Sequence, residues 1–161
     1  MYRLIRITLP IVAIVALAAP AAAATPISVP GDAGWVDTGI TVSAGQTISI
    51  QANGTVQTAP IPDFHIPGEF KSSSGPAGQT TNPTCGETTD TFSRQLLAQT
   101  GPCALDDAYF GELIGRVGRK TFVIGDATSF VAPASGTLQL AANDLVLTYF
   151  DNNGAFTVLL S

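Results

Sequence analysis

Thr47-Ile48-Ser49-Ile50-Gln51-Ala52 alternates polar and aliphatic side chains residue by residue. Successive side chains of an extended chain point to opposite faces, so a period of two puts Ile48, Ile50 and Ala52 on one side and Thr47, Ser49 and Gln51 on the other. The stretch therefore predicts a strand with one buried face and one wet face. Thr137-Leu138-Gln139-Leu140 repeats the pattern. Outward from these two stretches, short β-branched and aromatic runs bounded by Gly, Pro, Asn and Ser predict further strands. The full set is residues 27–29, 35–42, 47–52, 55–58, 113–117, 121–123, 129–131, 137–142 and 155–160. Helical periodicity is nearly absent. The sequence thus predicts an all-β sandwich of about eight or nine short antiparallel strands. Ser43-Ala44-Gly45-Gln46, Asn53-Gly54 and Pro133-Ala134-Ser135-Gly136 are expected to be the turns between strands. Trp35, on the first long strand, is expected in the core.

Residues 1–24 have the layout of an export signal. Arg3 and Arg6 supply the charged start, 9–19 an apolar stretch interrupted by Pro10, and Ala22-Ala23-Ala24 a small-residue cleavage site. The apolar stretch falls short of the roughly 20 uninterrupted residues a membrane span needs. The reading is one domain over 25–161, secreted or periplasmic. With the two leader arginines gone, five of the seven basic residues face twelve acidic ones, a balance of −7. That charge disfavours nucleic acid and anionic membrane surfaces as partners and suits a cation or a neutral ligand.

The middle of the chain, 59–101, reads as a long loop or pair of loops inserted between strands, with Pro60, Pro62, Pro67, Pro76 and Pro83 among many Ser and Thr residues. Within it, 92–99 is a candidate short helix, and 106–110, capped by Asp106, is another just beyond. Cys85 and Cys103 are the only cysteines, and export favours their pairing. Such a bond closes a surface loop and stabilises by about 3 kcal/mol on the chain-entropy argument. Two free thiols or a metal pair remain the alternative.

Chemistry concentrates near the C-terminus. Asn143-Asp144 ends one strand and Asp151-Asn152-Asn153-Gly154 begins the next, so a hairpin-like loop, 145–150, brings five oxygen-bearing side chains together. Two carboxylates with neighbouring amides suit calcium, which takes six to eight oxygens. The lack of Cys and His here disfavours zinc and copper. The same residues are also ordinary turn formers, and their spacing is not that of an EF-hand.

Several stretches in shared order resemble a known family. They are Trp35-Val36-Asp37-Thr38-Gly39-Ile40 with Ser43-Ala44-Gly45-Gln46, Leu113-Ile114-Gly115-Arg116-Val117-Gly118, Phe130-Val131-Ala132-Pro133 with Ser135-Gly136, and Asn143-Asp144 with Asp151-Asn152-Asn153-Gly154-Ala155-Phe156-Thr157-Val158. Together they are similar to the bacterial LecA-type galactophilic, calcium-dependent lectin domain, which implies a small jelly-roll-like β-sandwich. The resemblance implies Asp144, Asp151 and Asn152 as side-chain calcium ligands, and Thr148 and Thr58 (or Gln57) as carbonyl ligands, with two sugar hydroxyls completing the shell. Asp151 stands where the family has Asn, and the added charge should strengthen calcium binding.

Gly75-Pro76-Ala77-Gly78 resembles the family's Gly-Pro-x-Gly loop, after which a His and a Gln touch galactose. Counting onward places Asn82 and Cys85 there instead. Asn82 retains the ability to bond a hydroxyl, whereas a disulfide-bonded Cys85 does not replace Gln. The implied sugar-binding set is Asn82, Asp144, Asp151 and Thr148, with His65 beside Phe64 as a further candidate. The bland reading of His65 is a simple loop histidine.

Catalysis finds little support: the sequence has no G-x-S-x-G elbow, no H-E-x-x-H and no phosphate-cradling glycine loop. The expected function is a secreted calcium-dependent carbohydrate-binding domain, galactoside-like in ligand and not an enzyme. The alternative is a calcium-stabilised structural or adhesive envelope module that binds no sugar.

Overall fold

The computed structural model describes residues 25–58, 73–81, 84–90 and 100–161. Two antiparallel sheets stack into a β-sandwich. Strands β1 (Ile27–Pro30), β9 (Asn153–Leu160), β3 (Thr47–Gln57) and β4 (Ser73–Ser74) follow one another across the first sheet, and β7 (Ser129–Val131) pairs with the start of β3. The second sheet runs β2 (Val36–Val42), β8 (Gly136–Ala142), β5 (Leu113–Val117), β6 (Lys120–Val123). The short α1 spans Cys85–Asp90, and among the described residues no helix is long and apolar enough to cross a membrane.

The period-two pattern works as expected. Ile48, Ile50 and Val56 of β3 point inward beside Phe156, Val158 and Leu160 of β9. They meet Val42, Leu113, Val117, Leu138 and Leu140 from the opposite sheet in one core. Each such aliphatic or aromatic side chain contributes about 1.5–3 kcal/mol on leaving water, which makes this layer the main source of stability.

Four local expectations change. Asn53-Gly54 is no turn, because β3 continues straight through it and both residues pair with β9, Asn53 opposite Thr157 and Gly54 opposite Phe156. Gly54 sits at φ +106°, and a Cβ there would run into the carbonyl oxygen of Ala155. The glycine thus serves a close cross-strand approach instead of a reversal.

Residues 106–110 form turns and no helix. Their backbone is claimed by Asn143, whose amide nitrogen donates to the carbonyls of Leu105, Ala108 and Tyr109 at 2.9, 3.1 and 3.2 Å while its oxygen accepts from Leu105 N–H at 2.9 Å. So held, Ala104, Leu105 and Ala108 cover Ile114 and Ala141 on the outer face of the second sheet. Trp35 packs partly buried against the same patch, with the Arg116 guanidinium 4.3 Å from its ring. It therefore covers an outer face and does not enter the central core, and the strand behind it begins at Val36.

Finally, 145–150 is not a hairpin. β8 lies inside the second sheet and β9 inside the first, so residues 143–152 cross from one layer to the other. The candidate helix at 92–99 lies outside the described residues, as does the leader.

Candidate functional site

The crossing at one end of the sandwich is laid against residues 100–104. Leu147 and Val146 N–H groups donate to the carbonyls of Thr100 and Pro102 at 3.0 and 2.9 Å, and Ala104 N–H donates to the carbonyl of Asp144 at 2.9 Å. Cys103 forms an isolated bridge with Leu145. A disulfide joins Cys103 to Cys85 at the start of α1, with Cα atoms 6.1 Å apart, so the expected pairing is present. Cys85, Cys103, Phe110 and Leu145 close into a small apolar cluster beneath the crossing.

Two carboxylates point into this end. Asp144 is 4% exposed. Its Oδ1 accepts from Leu145 N–H at 2.7 Å, whereas its Oδ2 is buried with no hydrogen-bond partner. Burial pushes the Asp144 carboxyl up to about 6. The nearby Asp151 charge adds to the rise, and the Leu145 N–H, the Asn152 amide and the Thr148 hydroxyl oppose it. Asp151 lies in the short 3-10 turn Tyr149–Asp151 and also holds a buried, unpartnered oxygen, Oδ1, and burial raises its pKa as well. Buried carboxylate oxygens without donors are costly, which makes this pair the candidate place for a positive charge.

The remaining residues of the predicted set gather around them. Asn152 is buried, and its side-chain nitrogen donates to the Gly31 carbonyl at 3.1 Å. Thr148 is buried, its hydroxyl donating to Leu145 O at 3.1 Å and its carbonyl accepting from Asp151 N–H at 3.1 Å. Thr58 directly follows β3, whose last residue Gln57 pairs with Asn153. That register brings Thr58 level with Asn152 on the neighbouring strand. Thr58 is buried too, its hydroxyl accepting from the Gln79 amide at 3.0 Å.

Of the five oxygen-bearing side chains expected here, Asn143 and Asn153 serve otherwise. Asn143 holds the 105–109 backbone, and Asn153 is exposed, accepting from Gly154 N–H at 2.6 Å. Asn82 and His65, named as sugar contacts, lie outside the described residues, as does Phe64. Among the described residues no three His, Cys, Asp or Glu side chains gather, so any cation here relies on two carboxylates with amide and carbonyl oxygens.

Two neighbours were missed in the sequence. Tyr149 keeps a buried, unpartnered hydroxyl, and burial beside Asp144 raises its pKa. The Tyr149 ring lies over Gly34, where a Cβ would meet it at an ordinary contact distance of 3.6 Å, so the glycine answers to its φ of +61° and not to the ring. Gln79 joins the 75–78 loop to Thr58; its position directly after Gly75-Pro76-Ala77-Gly78 was the available signal. That loop is itself fixed, with Gly78 N–H on Gly75 O at 2.9 Å, Leu113 N–H on Pro76 O at 2.9 Å and Ala77 bridged to Glu112.

No protein-family model and no curated protein matches the sequence. Among solved structures, the chain is similar to the "EclA N-terminal domain; PllA-like lectin", with a TM-score of 0.54 at 22% identity over 84% of this chain and 92% of that one. At that identity the likeness concerns the fold, a β-sandwich shared along most of both chains.

Proposed function

We propose that the chain is an extracytoplasmic calcium-dependent carbohydrate-binding domain. The observation that carries this reading is the pair of buried, unpartnered carboxylate oxygens, Asp144 Oδ2 and Asp151 Oδ1, at the sheet-to-sheet crossing. The likeness in fold to a PllA-like lectin supports it. Asp144, Asp151 and Asn152 would hold the ion by side chains, and Thr148 and Thr58 by carbonyl oxygens. This is an all-oxygen set with two negative charges, as a hard divalent cation requires. Calcium bound there supplies open coordination positions for two neighbouring hydroxyls of a sugar.

The protein's own part is orientation. Asn152 stands against Asp144, and a half-turn of its amide exchanges a donor for an acceptor. The Asp144 and Asp151 carboxylates can also accept hydrogen bonds from sugar hydroxyls, stronger than neutral ones because the acceptor is charged. Asn82 and His65 are proposed to contact the sugar from the loop side.

A glycan array probed with calcium and again with chelator tests the reading. Calcium-dependent binding to a defined set of glycans is expected. If no glycan is bound in either condition while calorimetry still detects calcium, the adhesive-module alternative replaces it.

A further inference from the structure

The outer face of the second sheet carries a polar row that the carboxylate crossing does not use. Strands β2, β8, β5 and β6 lie side by side, and their register sets Asp37, Gln139, Arg116 and Thr121 opposite one another. Residues paired in this way share a face, and the next residues along β8 and β5, Leu138 and Val117, are in the core, so the row points outward. Gln139, Arg116 and Thr121 are each half-buried. At the ordinary strand spacing they span about 10 Å, room for one sugar ring. Arg116 is held in this row without being neutralised. Its Nε and Nη2 donate to Gln139 Oε1 at 3.0 and 2.8 Å, and its guanidinium lies 4.3 Å from the Trp35 ring centre. Among the described residues these are its partners, and neither is an acid. Asp37 stands one strand beyond Gln139, about 10 Å from Arg116. Its Oδ1 accepts from Gly39 N–H at 2.7 Å.

We propose that Gln139, Arg116 and Thr121 form a second binding site, separate from the carboxylate crossing, for an acidic sugar such as a hexuronic or sialic acid residue. A guanidinium holds its N–H donors in one plane, and Gln139 occupies the Nε edge. The end edge, with parallel N–H groups on Nη1 and Nη2, matches the two oxygens of a carboxylate. A carboxylate is also planar and singly charged, which suits one guanidinium better than phosphate does. Leaving a half-buried cation without a counter-charge costs stability, but a cation already oriented by an amide and an indole meets its anion with little left to order. The Gln139 amide nitrogen and the Thr121 hydroxyl lie on either side, placed to bond ring hydroxyls. The site needs no calcium. The acidic balance of the chain keeps its affinity modest without forbidding it, since charges farther away than about 8 Å are largely screened at physiological salt.

Trp35 is the chain's one tryptophan, so its fluorescence reports on the guanidinium stacked against it. The test titrates methyl glycosides of galacturonic, glucuronic and N-acetylneuraminic acid into the disulfide-bonded protein in calcium-free buffer. Neutral methyl galactoside and methyl glucoside, acetate and inorganic phosphate are titrated beside them. At least one acidic glycoside is expected to shift the Trp35 emission saturably, with binding about tenfold tighter than that of the neutral glycosides, acetate or phosphate. Arg116→Met and Arg116→Lys should both lose that preference, the second because an ammonium keeps the charge and not the fork. Arg119→Met removes the same charge from the exposed turn beyond β5 and should keep it. No response to any acidic glycoside, equal binding of the neutral ones, or a preference that survives both Arg116 variants overturns the site. Acetate or phosphate bound as tightly as the acidic sugars overturns the sugar assignment. Every arm is free of calcium, so none of these results bears on the calcium reading, and failure of calcium-dependent glycan binding leaves this second site standing.

Discussion

Ala104 donates its backbone N–H to the carbonyl oxygen of Asp144 at 2.9 Å, one residue after Cys103 enters its disulfide with Cys85. The most buried carboxylate of the candidate site is thereby positioned by a covalent cross-link that is not itself among the proposed ligands. Replacing both cysteines by Ser should lower the melting temperature, in line with the loss of about 3 kcal/mol from loop closure. It should also weaken calcium binding by about tenfold, because Asp144 loses its fixed placement. Calorimetric titration of calcium into the disulfide-bonded and double-Ser proteins checks this, and equal affinities would show that the cross-link serves stability alone.

In the metal-free protein the Asp144 carboxylate is a liability. Its folded pKa is raised, to about 6 from an ordinary 3.8. An acid raised in this way binds protons more tightly when folded, so its ionisation costs stability above pH 6, and the cost disappears below about pH 4. Asp144→Asn should therefore melt higher than metal-free wild type at pH 7, with the gap closing as the pH falls from 6 toward 4. The same variant should lose calcium binding. Melting curves in chelator across that pH range, paired with calcium titration, measure both halves.

Asp151 is only half-buried, and the family whose sequence this chain resembles has Asn at its place. Asp151→Asn should accordingly keep calcium binding at reduced affinity, where Asp144→Asn abolishes it. A Kd for Asp151→Asn as weak as that of Asp144→Asn would mean that the two carboxylates share the charge equally.

Calcium should raise the melting temperature of the wild type, since a ligand that binds only the folded chain stabilises it by mass action, by about 2.7 kcal/mol at a hundredfold excess over Kd. Superimposable melting curves in excess calcium and in chelator would remove the ion from the account.

Gly54→Ala should destabilise the sandwich by about 1–3 kcal/mol, because φ +106° is unfavourable for any side chain and the added Cβ meets the Ala155 backbone oxygen. Chemical denaturation of this variant and of Gly45→Ala distinguishes the causes. Gly45 also has positive φ, but nothing lies within 4 Å of its missing Cβ, so its replacement should cost less.

The sandwich was legible because the first half of β3 and most of β9 bury alternate residues, as β8 does at Leu138 and Leu140, and that alternation is written in residue types. Asn53-Gly54 misled because a glycine serving a cross-strand approach has the same spelling as a glycine serving a turn. The 106–110 segment misled for a different reason: its conformation is imposed by Asn143, more than thirty residues away, and no local pattern records it. At the crossing, Asp144, Asp151 and Asn152 stood out because they share one short stretch, whereas Thr148 was placed by resemblance. Thr58 was placed by resemblance, and the β3–β9 register supplies its physical basis. Tyr149 stayed hidden, since a tyrosine following a threonine carries no sign of what it will face, and Gln79 was passed over although it directly follows the Gly75-Pro76-Ala77-Gly78 loop.

The route of residues 143–152 between the layers bears on how this protein can change over generations. The frame of the crossing is set by backbone groups and by inward residues, Asn143, Leu145 and Asn152, whereas positions 146, 147 and 150 project away from it. Substitutions at those three places escape the constraints of the sandwich and alter only what the rim meets. The crossing is therefore a place where the surface can vary from one descendant to the next, while the fold beneath it is passed on unaltered.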